Sequence, residues 1–251
     1  MKRTLTWSED GSPTLFSETF GETYHSDAGA IEESVHVFLQ AGLEAYKRAH
    51  PDQLSLHIVE YGFGTGLNVL LTLDQHIQLI NNGIKTPDIH FRTLEKFPLS
   101  PEEYEILTFP ANEHLREPER LKQLHEIPWN EPVEIVPGFI LLKENRDFLD
   151  LTAQDLSQLP LQSATDKMSG FCRGVDVIYF DAFSPGSQPE LWEAPIFRTL
   201  AEAGSADCTL VTYSARGSVK QALREVGFFV QRLPGAGRKR HMVRGILQKN
   251  C

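Results

Sequence analysis

Residues 57–71, His-Ile-Val-Glu-Tyr-Gly-Phe-Gly-Thr-Gly-Leu-Asn-Val-Leu-Leu, decide the fold. An apolar run of strand type enters Gly62, Gly64 and Gly66, and a helical pattern follows at once. Glycine is needed at such a junction because the backbone turns sharply and a ligand approaches where a Cβ would collide. The amides that open the following helix favour a polar or anionic ligand group. A plain tight βα turn would use the same glycines. The spacing Gly-x-Gly-x-Gly lacks the wider last gap of the dinucleotide fingerprint, and Glu60 precedes the first glycine by two residues. A carboxylate there suits a cationic nucleoside better than a pyrophosphate. The reading therefore points to S-adenosylmethionine and away from a nicotinamide-dependent oxidoreductase.

Outward from this turn, strands alternate with helices after Pro51. Strands are expected near 56–61, 89–95, 139–143, 175–181, 207–213, 227–233 and 240–248, and helices near 66–80, 100–108, 189–203 and 217–226. Such alternation gives a mostly parallel sheet covered on both faces. The last two strands are linked by Leu233-Pro234-Gly235-Ala236-Gly237, too short for a helix, and should pair antiparallel. The expected fold is α/β, a Rossmann-like domain over 51–251 with a seven-stranded sheet and an antiparallel last strand. Residues 109–138, rich in Pro and charge, read as an insertion with a short strand at Val133–Val136.

Residues 1–50 read as an extension packed on that core. Leu5 and Trp7 alternate, Asp10-Gly11 is a hairpin turn pair, and Thr14-Leu15-Phe16 returns. From Ala28 to His50, Ile31, Val35, Phe38, Leu39, Leu43 and Tyr46 recur at helical spacing. Glu32, His36 and Gln40 fall at i, i+4 and i+8, so they should stack in one stripe that either lines a substrate pocket or faces solvent.

The chain of 251 residues is long enough for one well-buried core. It has no run of ~18 apolar residues, so no membrane-spanning helix is expected. Its N-terminus lacks an apolar signal region. Cys172, Cys208 and Cys251 are odd in number and widely spaced, which fits neither a disulfide framework nor a zinc site. These features lead to the expectation of a reduced, cytoplasmic protein with no metal. Residues 216–251 carry nine basic groups against Glu225 alone, a balance of +8, while the whole chain is −10, so residues 1–215 carry −18. That balance argues against uniform nucleic-acid binding, and a local basic edge for phosphates is left open beside a solvated face.

In an open α/β sheet, ligands bind beyond the carboxyl ends of the strands. Glu60, Glu95 and Asp181 end three expected strands, and Asp147 lies just past a fourth. Glu95 is placed to accept both ribose hydroxyls of a nucleoside. Asp147 either accepts from an adenine amine while Phe148 packs on the ring, or caps a turn. Asp181-Ala182-Phe183-Ser184-Pro185-Gly186 sets a carboxylate and an aromatic ring together at the active edge. Methyl transfer from a sulfonium to nitrogen needs an uncharged amine in line with the S–CH3 bond. A carboxylate that accepts from the amine can orient it and take its proton, and Phe183 can stack on a flat base.

These residues resemble the methyltransferase domain of the MnmC family, which finishes 5-methylaminomethyl-2-thiouridine at the tRNA wobble position. The match runs through Glu32–Phe38, Glu60–Asn68, Glu95–Leu99, Asp181–Pro185, Pro189–Trp192, Thr212–Ala215 and Gly237–Arg240. The resemblance implies a class I methyltransferase fold, S-adenosylmethionine as methyl donor and an aminomethyluridine amine as acceptor. It implies that Glu60, Gly62, Gly64, Gly66 and Glu95 surround the cofactor, joined by Thr65, Asn68, Lys96, Asp147 and Phe148. It places Asp181 beside methyl and amine, with Phe183 and Tyr213 as its catalytic companions. His36, Phe183, Arg238, Lys239 and Arg240 are then the substrate contacts. Two-domain members continue into a flavin oxidoreductase after the last strand, so a separate flavin oxidoreductase or other tRNA-modifying proteins are expected partners. Rival expectations are a methyltransferase for another amine, small molecule or protein, and a non-catalytic nucleic-acid-binding module.

Overall fold

The computed structural model of the chain describes residues 1–26, 29–158, 174–237 and 239–249. Cys172, Cys251 and Arg238, which the sequence reading uses, lie outside the described residues.

The chain opens with a three-stranded antiparallel sheet, β1 (Arg3–Trp7), β2 (Pro13–Ser17) and β3 (Glu22–Thr23). The Asp10-Gly11 turn closes the first pair as expected, with Gly11 at φ +77°. The two-residue β3 was not anticipated. A helical rod follows as α1 (Ala30–Ser34), a π-bonded stretch (Val35–Glu44) and α2 (Ala45–Ala49). The middle of this rod has the wide i→i+5 bonding, and Glu32 and Gln40 are exposed, the solvent-facing alternative for the expected stripe. Gly42 allows the rod to lie close on the sheet, since a Cβ there would stand 2.8 Å from Val211.

The main sheet has β4 (Ser55–Tyr61), β5 (Asp88–Glu95), β6 (Pro132–Val136), β7 (Phe139–Asn145), β8 (Val175–Phe180), β9 (Gly204–Thr212), β10 (Phe228–Pro234) and β11 (His241–Leu247). Their order is β10-β11-β9-β8-β4-β5-β7-β6. All seven expected strands are present. The eighth, β6, is the short strand of the insertion, pairing antiparallel with β7 at the sheet edge. The β4, β5, β7, β8 and β9 pairings are parallel, while β11 runs antiparallel between β9 and β10.

Helices α3 (Leu67–Asn81), α4 (Pro101–Tyr104), α5 (Arg120–Glu126), α6 (Ala153–Ser157), α7 (Ala194–Ala203) and α8 (Gly217–Glu225) complete the layers. The expected 100–108 helix shortens to α4, started by a Ser100/Glu103 capping box. The expected 189–203 helix splits into a 3-10 turn, Pro189–Trp192, and α7, because Pro195 can only stand in a helix's first turn. Phe38, Phe91, Phe139 and Tyr179 fill one face of the sheet, while Phe180, Trp192, Phe197 and Leu210 fill the other. Residues 1–50 share this core rather than building their own, because Ile31, Phe38 and Leu43 lie in the same cluster as Tyr179 and Val211. Strand order reverses at β4 and β8, the place where such sheets hold ligands.

Candidate functional site

A cavity of about 310 Å³ opens over the carboxyl ends of β4, β5, β7 and β8. Its floor is the glycine turn. Gly62 stands at φ +104°, and a Cβ there would meet the Asp181 carbonyl oxygen at 2.7 Å, so the ends of β4 and β8 touch backbone to backbone. Gly64, at φ +52°, lies under the ring of Tyr24, 3.0 Å from where its Cβ would be. Gly66 caps α3 in the left-handed conformation, and a Cβ there would meet the Phe63 ring at 2.9 Å. Behind the turn, the His125 ring N–H donates to the Thr65 carbonyl at 2.9 Å and the buried Lys143 ammonium donates to the His125 carbonyl at 2.7 Å.

The acids at the strand ends separate into two depths. Glu95 lines the cavity, and its two oxygens accept the Gly64 and Phe97 amides at 3.0 and 2.8 Å. Burial raises its pKa against those bonds. Glu60 does not line the cavity. It is buried behind the turn, accepts from the Thr93 hydroxyl at 2.5 Å, and is held well above its ordinary pKa by burial. It therefore stands behind the floor, which it supports. Asp147 caps the 3-10 turn Phe148–Asp150, accepting the Leu149 amide at 3.2 Å, and it also lines the cavity. Burial would raise its pKa, but the Lys96 ammonium and the Leu149 amide bind it and hold it down.

Asp181 forms the far wall. Its carboxylate accepts the Asn68 side-chain amide at 2.8 Å. Burial lifts its pKa to about 7; Glu33 adds to the rise, while the Asn68 hydrogen bond and the Lys239 charge oppose it. The following loop is pinned from three sides. Ser184 N–H donates to Glu22 at 3.0 Å, the Trp192 indole N–H to the Phe183 carbonyl at 2.8 Å, and the Tyr213 hydroxyl to the Ala182 carbonyl at 2.9 Å. Phe183 stacks on Phe20 at 4.4 Å and meets the edge of Tyr24 at 4.9 Å.

Thus Gly62, Gly64, Thr65, Asn68, Glu95, Lys96, Asp147, Phe148, Asp181, Phe183, Tyr213 and Lys239 share one cavity. His36 does not join them. Its ring N–H donates to the Pro234 carbonyl at 2.9 Å, tying the π stretch to β10. Arg240 is exposed on the β10–β11 turn, whereas its neighbour Lys239 turns inward and pairs with Glu33. The sequence reading missed the roof: Phe20 comes from the β2–β3 turn, Glu22, Tyr24 and His25 from β3 and the loop after it, and Glu33 from α1. Nothing but the aromatic and polar run Thr23-Tyr24-His25-Ser26 before the helix marked them. His25 sits 2.7 Å from the Thr65 hydroxyl, and burial lowers its pKa to about 4, so it is neutral at pH 7.

The lining suits a sulfonium nucleoside. The Glu95 oxygens each accept one amide and keep lone pairs for two ribose hydroxyls. Asn68 keeps a buried Oδ1 without a hydrogen-bond partner, a position for an ammonium donor. Phe148 and Leu149 offer apolar surface beside Asp147 for a base.

Comparisons with known proteins agree with this geometry. A family model described as S-adenosyl-L-methionine-dependent methyltransferase matches residues 119–248. Two curated relatives, each called tRNA 5-methylaminomethyl-2-thiouridine biosynthesis bifunctional protein MnmC, come from Idiomarina loihiensis and an Azoarcus species. Both are 34% identical, over 95% and 96% of this chain and 37% and 35% of their own length. The chain thus spans little more than a third of those relatives. The crystal structure of MnmC2 from Aquifex aeolicus is similar with a TM-score of 0.73 and 26% identity, covering 99% of this chain and 72% of that one. With more than half its residues in the family match, the chain belongs to the S-adenosyl-L-methionine-dependent methyltransferases, and S-adenosylmethionine is its cofactor.

Proposed function

We propose that the chain N-methylates the aminomethyl group of 5-aminomethyl-2-thiouridine at the tRNA wobble position, giving 5-methylaminomethyl-2-thiouridine. The observation that carries this reading is Asp181, a carboxyl of pKa about 7 on the cavity wall beside Phe183. The names of the two curated relatives and the likeness to MnmC2 support the choice of tRNA. A flavin oxidoreductase and other tRNA-modifying proteins are the partners it implies.

Gly62, Gly64, Thr65, Asn68, Glu95, Lys96, Asp147 and Phe148 would hold S-adenosylmethionine, which supplies an electrophilic methyl on sulfur when bound. Asp181 accepts an N–H from the acceptor and takes its proton, leaving the nitrogen lone pair free. A carboxyl titrating near 7 suits that transfer at neutral pH. Asn68 fixes the carboxylate, and Tyr213, through Ala182, fixes the loop. Phe183 offers its ring to the uracil. Phe20, stacked on Phe183, and Tyr24, edge-on to it, cover this wall, and the burial of Asp181 strengthens its field.

A second reading keeps the cofactor and takes a small or protein amine as acceptor. The −18 balance of residues 1–215 favours it. The test is mass spectrometry of nucleosides from tRNA carrying the aminomethyl group, after incubation with methyl-labelled S-adenosylmethionine. Label in 5-methylaminomethyl-2-thiouridine is expected. Label in small amines alone would transfer the proposal to the second reading.

A further inference from the structure

Lys239 belongs to the basic cluster expected to face tRNA phosphates, and the structure turns it the other way. It leaves the β10–β11 turn, enters the cavity wall and pairs its ammonium with the Glu33 carboxylate. The same ammonium lies over the Tyr213 ring, 4.2 Å from its centroid. Glu33 is the more enclosed partner, its side chain 13% exposed against 37% for Lys239. Glu22 and Asp181 also line this end. One carboxylate and an aromatic face thus hold a primary ammonium on a flexible methylene stem, with Glu22 and Asp181 in the same cavity lining.

Such a box has the chemistry that recognises an alkylammonium: opposite charge for the cation and a ring face for its positive surface. A structural pin between turn and helix would have no need of the cavity wall. Lysine is also a compact point charge on a stem with freely rotating bonds, easily swung aside. The acceptor named above presents the same group, an ammonium on a short methylene arm. Resting on that amine-acceptor reading, we propose that Glu33 and the Tyr213 ring are the recognition subsite for the acceptor's primary ammonium. Lys239 fills this subsite until the acceptor displaces it.

The consequence is selectivity. A tethered group competes at an effective concentration on the order of millimolar. Free amines, with no contact besides the ammonium, enter poorly below that level. An acceptor whose nucleoside also stacks on Phe183 gains enough to displace Lys239. Removing the lysine charge therefore tightens the site for simple amines, the reverse of what loss of a phosphate contact or of a structural pin would do.

The test titrates the full chain, loaded with S-adenosylhomocysteine so that no turnover occurs, with ethylammonium chloride in a calorimeter. Lys239→Met is expected to bind ethylammonium about tenfold or more tighter than the wild type, as removal of a millimolar internal competitor predicts. Adding Glu33→Gln should abolish the gain. Equal or weaker binding by Lys239→Met would overturn the proposal, as would a gain that survives in the double variant. Lys239→Gln, which keeps a donor for Glu33, takes its place should Lys239→Met not fold. Because no tRNA enters this titration, failure of the tRNA reading and failure of this subsite are told apart. In steady state with tRNA, Lys239→Met should lower the KM for tRNA.

Discussion

Asp181 shows how much of a residue's chemistry is set by its surroundings. On strand geometry alone it is one more strand-end acid. Enclosed by Asn68, Glu33 and the loop after it, its carboxyl titrates near 7 instead of 3.8. Asp181→Asn keeps the volume and one acceptor oxygen but loses the charge. Single-turnover methyl transfer at saturating cofactor and tRNA should slow by ~10²–10⁴-fold. In the wild type, kcat/KM should fall as the pH drops below about 7, where the carboxylate becomes protonated, and the variant should lose that limb. Stability moves in the opposite sense. The folded pKa lies above the unfolded one, so the folded state binds this proton more tightly. The stabilisation is therefore present in acid and is lost as the pH rises through about 7. Asp181→Asn should raise the Tm at pH 8, with a difference that shrinks toward pH 4; an unchanged Tm at pH 8 would contradict the enclosed carboxylate.

Among the elements, the glycine turn and the N-terminal sheet make the site jointly. The first two glycines have different jobs. At Gly62 a Cβ meets backbone, the Asp181 carbonyl, at φ +104°; at Gly64 it meets the movable Tyr24 ring at φ +52°. Gly62→Ala should therefore cost roughly 2–5 kcal/mol, the sum of a forbidden backbone conformation and an overpacked contact. Gly64→Ala should cost only about 1–2 kcal/mol. Urea midpoints measure both. Gly64→Val should keep the fold and lose S-adenosylmethionine binding in calorimetry, because a branched side chain forces Tyr24 and the roof from their places. Equal midpoints for the two alanine variants would refute the backbone contact at Gly62.

For the whole molecule, charge in sequence and charge in space are different quantities. The terminal balance of +8 disperses once folded. Lys239 enters the cavity, Arg244 binds Gln231 and the Ala41 carbonyl, and Lys249 donates to the Glu202 carbonyl at 3.2 Å. Arg216 and Arg240 are exposed, and Arg216 lies beside the Ser184–Gly186 turn near the mouth. Replacing Arg216 and Arg240 by Gln should lower the slope of log K against log salt for tRNA by roughly 0.7–0.9 each. Lys239→Met should leave that slope unchanged. A slope that dropped as far for Lys239→Met would return Lys239 to the phosphate-binding edge.

Much of this was legible before folding because it depends on local chain geometry. The run from His57 to Leu71 allows only a strand, a tight turn and a helix, and alternation after Pro51 allows only a mostly parallel sheet. Strand-end position alone brought Glu95, Asp147 and Asp181 to one edge, since side chains leaving parallel strands at their carboxyl ends share a side. The sequence also placed Glu60 at that edge, but the depth of its burial, which keeps it behind the floor, depends on Thr93 and α3 packing over it. Glu32 and Gln40 of the helix stripe face solvent while Glu33 of α1 lines the cavity, because which face of a helix meets a cavity is settled by what the helix packs against. The roof of Phe20, Tyr24 and His25, and the inward turn of Lys239, come from segments far apart in the chain meeting over β4 and β8. Periodicity reports which face of an element is apolar. Which element then covers a cavity is decided only by tertiary packing, where long-range contacts choose among faces that local sequence leaves equivalent.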